Sequence, residues 1–262
     1  NLVFFFNFDK KLTEYYMKRL LIIAYLSLFL SGCVTTKVYD LVVPPINLTK
    51  ETDRFYALGA YGTNGFSFNA GAVLKPPFQV AGSITMNRTK GNSEEPHGSI
   101  LDDYKNSYSS DVYEIMAGAF FPIDQEGVFE IFAGTGKGRG EDYTYNGELW
   151  NGKSTVLLKS SKGDYNKYFL QVNIGGRKEK FVYGMAFRAN QITFTNYERW
   201  HSKRGLEFKG VPEGLIWEGT VFGRLGGDVL KLGFSATYAY SQQTLDFYYS
   251  SFSAAFVMYL SF

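Results

Sequence analysis

The sequence holds one cysteine, two histidines and seven prolines in 262 residues. A single cysteine excludes a disulfide framework and any multi-cysteine metal site. No charge sign dominates: 27 basic against 25 acidic residues give a net of +2. No global field therefore points to nucleic acid or to a strongly charged partner. No apolar run reaches the roughly 20 residues that a membrane-spanning helix needs. Intrinsic disorder is excluded by a hydrophobic content of 45%. What the chain has in quantity is aromatic side chains, 24 Phe, 20 Tyr and 3 Trp, together with 28 Gly.

The first methionine is Met17, followed by Lys18-Arg19 and the apolar run Leu20 to Leu30. A positive segment and then a short apolar one is the layout of a secretory signal. The next residues, Leu30-Ser31-Gly32-Cys33, resemble the bacterial lipobox. There the signal is cut before a cysteine whose sulfur carries a diacylglycerol. The resemblance implies a lipoprotein signal helix over 17–32 and lipidation of Cys33. Residues 1–16 read as a non-native upstream extension. Residues 33–53, with Pro44-Pro45, read as a lipid-anchored, partly extended tether. No acidic run follows Cys33. Some surface lipoproteins of Bacteroidota carry one as an export signal, so its absence favours an anchor in the inner leaflet of the outer membrane.

From Arg54 onward the hydrophobic pattern has a period of two. Phe66, Phe68, Ala70, Ala72 and Leu74 share one parity, with Ser67, Asn69 and Gly71 on the other. Phe78, Val80, Gly82, Ile84 and Met86 alternate with Gln79, Ala81, Ser83, Thr85 and Asn87. Leu230 to Ser241 and Phe252 to Phe262 repeat the arrangement. Ten strands are expected, near 54–62, 65–74, 78–88, 111–121, 128–137, 166–176, 180–194, 213–224, 230–241 and 250–262. All seven prolines fall outside these ranges, as ladder hydrogen bonding favours. Connections after even-numbered strands are short, and those after odd-numbered ones are mostly long. Outer-membrane barrels are built this way, with the short turns periplasmic. The expectation is all-β: one antiparallel up-and-down transmembrane barrel over 54–262, with ten strands, or eight as the alternative.

Alternation alone does not say which face meets lipid. The polar parity is mostly Ser, Thr, Asn, Gln, Gly and Ala, which suits a narrow lumen better than a solvated exterior. Its charges are Glu114, Glu130, Arg188, Glu218, Arg224 and Lys231. They form an ion-pair network in the lumen, since an unpaired charge there is costly, or they lie near strand ends and meet water. The apolar parity is then expected to face outward. A soluble lipocalin-like barrel would reverse it, bringing Phe66, Phe234 and Phe256 together inside. Tyr61, Tyr168, Tyr183, Trp217, Tyr238 and Tyr240 suit interfacial aromatic girdles, or ordinary strand packing.

The last strand places Phe256, Met258, Leu260 and Phe262 at alternate positions, ending on an aromatic residue. This resembles the signal that the barrel-assembly machinery reads by strand pairing. With the lipobox, the proline-containing tether and Gly/aromatic strands such as Phe55 to Gly62, the chain resembles small outer-membrane β-barrel lipoproteins of Bacteroidota over 17–262. The resemblance implies outer-membrane lipid and, transiently, the assembly machinery as partners. It carries no catalytic residue across.

Chemistry-bearing motifs are sparse, and no cofactor or metal-ligand spacing appears. His97 lies near Asp102-Asp103 in sequence, and His201, Asp111 and Asp142 occupy other expected loops. An Asp–His pair beside a second Asp pair could activate water, as in omptin-type proteases, which also have ten strands. Without a local motif, solvated loop residues are the alternative. Gly134 to Gly140 is glycine-rich but ends a strand rather than opening a helix, so it is no phosphate loop. The 138–165 connection carries Tyr143, Tyr145, Trp150, Lys153, Lys159 and Lys162. It suits a glycan or lipopolysaccharide, or it extends the flanking strands as a hairpin. The preferred function is a non-enzymatic barrel lipoprotein, structural or interacting through its outer loops. A narrow channel, an outer-membrane hydrolase and a soluble periplasmic binding barrel are the alternatives.

Overall fold

The computed structural model describes residues 38–44, 48, 54–97, 100–146, 156–178, 180–242 and 245–262; for 89–97, 100–105 and 146 it describes the backbone alone. The fold below belongs to the unit Thr35–Phe262. The extension 1–16, the signal segment 17–32 and Cys33 lie outside the described residues.

Among the described residues, eleven strands form one sheet: β1 (Phe55–Gly62), β2 (Gly65–Lys75), β3 (Phe78–His97), β4 (Ile100–Pro122), β5 (Gly127–Asn146), β6 (Val156–Arg177), β7 (Phe181–His201), β8 (Gly205–Gly210), β9 (Glu213–Gly226), β10 (Leu230–Tyr240) and β11 (Phe252–Ser261). Successive strands pair antiparallel, except β8 and β9. The seam closes where β1 meets β11, from Tyr56↔Ser261 to Gly62↔Ala255. The result is a closed ten-strand barrel with β8 as an additional strand. β8 and β9 both pair with β7, over Tyr197–His201 and Phe181–Thr193 respectively. Between them lies Val211-Pro212, and proline cannot donate to the ladder. One long return strand is thereby cut in two.

The strands alternate as the sequence predicts, and the apolar parity faces outward. Phe66, Phe234 and Phe256 are 48%, 46% and 51% exposed. Ser67, Asn69, Ser83, Thr85, Ser235 and Thr237 are buried inside. A lipocalin-like inversion is therefore excluded. Tyr61, Tyr168, Tyr183, Trp217, Tyr238 and Tyr240 all stand on the outer surface.

The strands on one side are longer than expected. β3 to β6 run 20 to 23 residues, about twice the 9–11 residues that cross a bilayer. The expected loops 89–110 and 138–165 are largely continuations of these strands. Pro96 consequently lies within β3, one residue from its tip. The opposite side is low: β1 and β2 turn over at Thr63-Asn64, where Gly65 takes φ +80°. At the short-turn end, Asp124 Oδ1 accepts from the backbone N–H groups of Glu126 (2.9 Å) and Gly127 (2.5 Å). Those donors hold its carboxyl below the usual range.

The interior is not only polar, and it contains more than strand side chains. Val38–Val43, read from the sequence as part of a tether, are buried inside the barrel, and so is Leu48. At the long-loop end, the Val38 N–H donates to the Tyr248 carbonyl (3.0 Å) and the Ser250 N–H to that of Tyr39 (3.0 Å). Tyr39 and Tyr249 form a parallel bridge. Leu41 accepts from Asn64 Nδ2 at 3.2 Å, beside the β1–β2 turn. Val43 packs in the middle layer with Tyr56, Met116 and Phe169. The Leu48 carbonyl accepts from Arg177 (3.2 Å), and its side chain packs with Phe120, Val128 and Phe222 at the short-turn end. The segment thus descends the whole lumen before β1 begins. Apolar clusters at three levels hold it there, with polar contacts between them.

Candidate functional site: the lumen and its plug

One continuous set of polar contacts crosses the middle of the lumen. Glu114 on β4 receives Lys167 from β6 at 2.5 Å and Arg188 from β7 at 3.2 Å. Ser83 on β3 adds a hydroxyl at 3.1 Å. Arg188 also donates to Gln171 Oε1, through Nε at 2.8 Å. Gln171 donates to Asn173 (2.8 Å), and Asn173 to Glu130 (2.8 Å), which also accepts from Gln79 (3.3 Å). On the other side, Lys167 donates to the Tyr39 hydroxyl (3.2 Å), which donates to Glu218 Oε1 (2.8 Å). The period of two places every one of these barrel residues inward, so their strands could not build the outer face without also building this set.

Burial makes these contacts matter. The side chains of Glu114 and Lys167 are 0% exposed and that of Arg188 is 1% exposed. An ion removed from water costs several kcal/mol unless it is paired and hydrogen-bonded. Here two cations share one carboxylate, and Arg188 lies 4.4 Å above the Phe169 ring, a favourable cation–π placement.

Of the six charges singled out from sequence, the structure joins four. Glu114 and Arg188 touch directly, Glu130 connects through Gln171 and Asn173, and Glu218 connects through Tyr39 and Lys167. Arg224 lies 4.8 Å from the rings of both Phe222 and Tyr259 and feels the charge of Glu130. Lys231 donates to the Gly227 carbonyl in the β9–β10 turn. All six are buried. Sequence reasoning missed Lys167, Gln171, Asn173 and Gln79, although their parity marked them as inward. It also missed Tyr39 and Asp40, which no strand pattern covers.

The plug is fixed by specific contacts as well as by packing. Asp40, fully buried, accepts from Asn87 on β3 (2.8 Å) and Ser110 on β4 (2.9 Å). The glycine run of β5 faces inward and makes the room. A Cβ on Gly140 would lie 2.0 Å from the Val38 carbonyl oxygen, and one on Gly138 would lie 2.2 Å from the Tyr165 ring. Those glycines allow close approach inside the barrel. Tyr39→Phe removes the hydroxyl between Lys167 and Glu218, whose second oxygen has no partner among the described residues. The expected cost is about 1–3 kcal/mol, read as a lower urea midpoint of the refolded barrel. An unchanged midpoint would show that the bridge carries no weight.

The residues considered for hydrolysis do not converge among the described residues. Asp111 points outward and pairs with Arg88 (2.7 Å), while Asp142 points inward and is buried. His201 ends β7, and its Nδ1 accepts from the Lys203 N–H (3.1 Å). The side chains of His97, Asp102 and Asp103 lie outside the described residues, as do Trp150 and Lys153. Phe256, Met258 and Phe262 of the last strand are exposed on the outer face, and Leu260 is half-buried there.

A closed antiparallel barrel, apolar outside and filled with polar and aromatic side chains inside, defines an outer-membrane-type β-barrel. No protein-family model and no curated protein matches the chain. Among solved structures, it is similar to the crystal structure of outer membrane protease OmpT from Escherichia coli, with a TM-score of 0.51 and 10% sequence identity over 80% of this chain and 94% of that one. At that identity the likeness is one of fold.

Proposed function

We propose that this protein is a sealed outer-membrane barrel lipoprotein of the Bacteroidota type, acting without catalysis as a structural or interaction platform. The single observation that supports it is the lumen, filled from end to end by Val38–Val43, Leu48 and the Glu114 network. A ten-strand barrel is narrow enough for side chains to fill, and here a chain segment occupies it as well. Solute passage and a substrate cleft inside the barrel both require that space.

The partner-facing surface is the extended wall of β3 to β8. It carries paired charges on its outside: Arg88–Asp111 (2.7 Å), Arg139–Glu141 (2.6 Å), and Glu198 between Lys162 (3.1 Å) and Lys209 (2.8 Å). Such a surface suits lipopolysaccharide headgroups or a glycan, with Tyr143 and Tyr145 stacked beside it. Acylation at Cys33 anchors the chain, and the strand of Phe256, Met258, Leu260 and Phe262 is what the assembly machinery reads. The purified barrel is expected to be silent in planar bilayers. Discrete conductance steps would overturn the sealed reading in favour of a channel.

A further inference from the structure

We infer that the chain upstream of Val38 emerges at the cell surface, and that an acyl anchor at Cys33 therefore enters the outer leaflet. The inference rests on the lipoprotein reading for the anchor, but the direction of the chain rests only on the lumen contacts. Those contacts order the segment unambiguously. Val38 meets Tyr248 at the long-loop end, Leu41 meets Asn64 in the β1–β2 turn, and Leu48 meets Arg177 at the short-turn end. Short turns are periplasmic in barrels of this kind. The segment consequently enters from outside and leaves towards the periplasm, where β1 begins.

The depth of Val38 follows from the low side of the wall. β2 presents Phe66, Phe68 and Leu74 outward, and Tyr61 stands exposed on β1. The apolar band thus ends near the Thr63-Asn64 turn. Leu41 is level with that turn, and Val38 lies three residues further towards the outside. Cys33 is five residues before Val38, a span of at most about 18 Å when fully extended. That reaches the outer leaflet over the low lip. It does not reach back past an apolar band about 25 Å tall to the inner leaflet. The absence of an acidic run after Cys33 pointed the other way, but the seat of the plug is the more direct constraint.

The seat also constrains assembly. Tyr39 and Asp40 are bonded to β3, β4, β6 and β9, and the lumen around them is full. A lipidated N-terminus has no passage through the closed barrel. The segment must be laid in place before the β1–β11 seam closes, so the barrel closes around its own leader.

The test is an epitope inserted between Val34 and Thr35 of the full chain, probed with antibody on intact cells. Heat-modifiable migration checks that the barrel is folded. The same epitope placed after Lys178, in the β6–β7 turn, reports the periplasmic side. Antibody binding to intact cells at the first position, with the second dark until the outer membrane is permeabilised, is the expected result. Binding at the first position only after permeabilisation would overturn the inference. Radiolabelled palmitate incorporation, compared with Cys33→Ser, reads the anchor separately. Surface binding without cysteine-dependent label would end the lipoprotein reading and the outer-leaflet anchor, leaving the chain direction standing. Label with periplasmic binding would do the reverse.

Discussion

A Glu114→Ala barrel is expected to lose about 3–5 kcal/mol of stability. Glu114 is the carboxylate shared by Lys167 and Arg188, and none of the three side chains has appreciable contact with solvent. Removing it leaves two cations facing each other in a low-dielectric interior. Arg188 keeps Gln171, and Lys167 keeps the Tyr39 hydroxyl, but neither neutral partner offsets a full charge. Urea titration of the barrel refolded in lipid vesicles reads the loss. The double variant Glu114→Gln/Lys167→Met removes one charge of each sign, and should recover a large part of it. The coupling energy between the two sites isolates the pair. A loss below about 1 kcal/mol, the range of exposed ion pairs, would mean that water reaches the network and the lumen is open.

Arginine on the outer face gives the second large effect, and its depth dependence is the informative part. Phe234 lies midway along β10 and faces out, and Tyr238 lies nearer the long-loop end on the same face. In a bilayer, Phe234→Arg is expected to cost about 2–4 kcal/mol and Tyr238→Arg about 0–1 kcal/mol. The same urea titration measures both. An equal and small cost at the two positions would place this face in water.

The outer face was legible in the sequence because lipid demands it. Where a strand crosses hydrocarbon, every second residue must be apolar, and Phe66 to Leu74 or Leu230 to Tyr240 show that without help. The same logic explains what was not legible. In the projecting part of β3, Thr89-Lys90-Gly91-Asn92-Ser93 lies past the roughly 9–11 residues of a strand that hydrocarbon covers, so neither parity needs to be apolar and the period disappears although the ladder continues. The split at Pro212 was readable in part: the proline was seen as a boundary, but a further strand before it was not expected. The plug left the faintest trace. Leu41-Val42-Val43 is a short apolar run with no periodic partner. Its complement is scattered over several strands as inward aromatics: Tyr56, Phe120, Phe132, Phe169, Phe194 and Tyr259. Those residues break the polar parity, and a lumen that needs so many rings is one that must enclose something apolar.

Within the site, the sequence pointed to Glu114, Glu130, Arg188 and Glu218 by charge and parity. It could not pair them, because their partners come from strands far apart along the chain. Lys167 had the same parity and the same claim. Arg224 and Lys231 have the right parity but lie nearer the short-turn end, where aromatic faces flank Arg224 and a turn carbonyl accepts from Lys231.

The most direct measurement concerns the outer face. Single tryptophans replace Phe66, Phe234 or Phe256 in a background where Trp150, Trp200 and Trp217 are phenylalanine, and each barrel is refolded into vesicles of brominated lipid. Strong quenching at all three, deepest for bromines placed at the acyl-chain level of each residue, is the expected outcome. Emission that stays unquenched by the lipid but responds to a water-soluble quencher would contradict it, and a membrane barrel would no longer describe this chain.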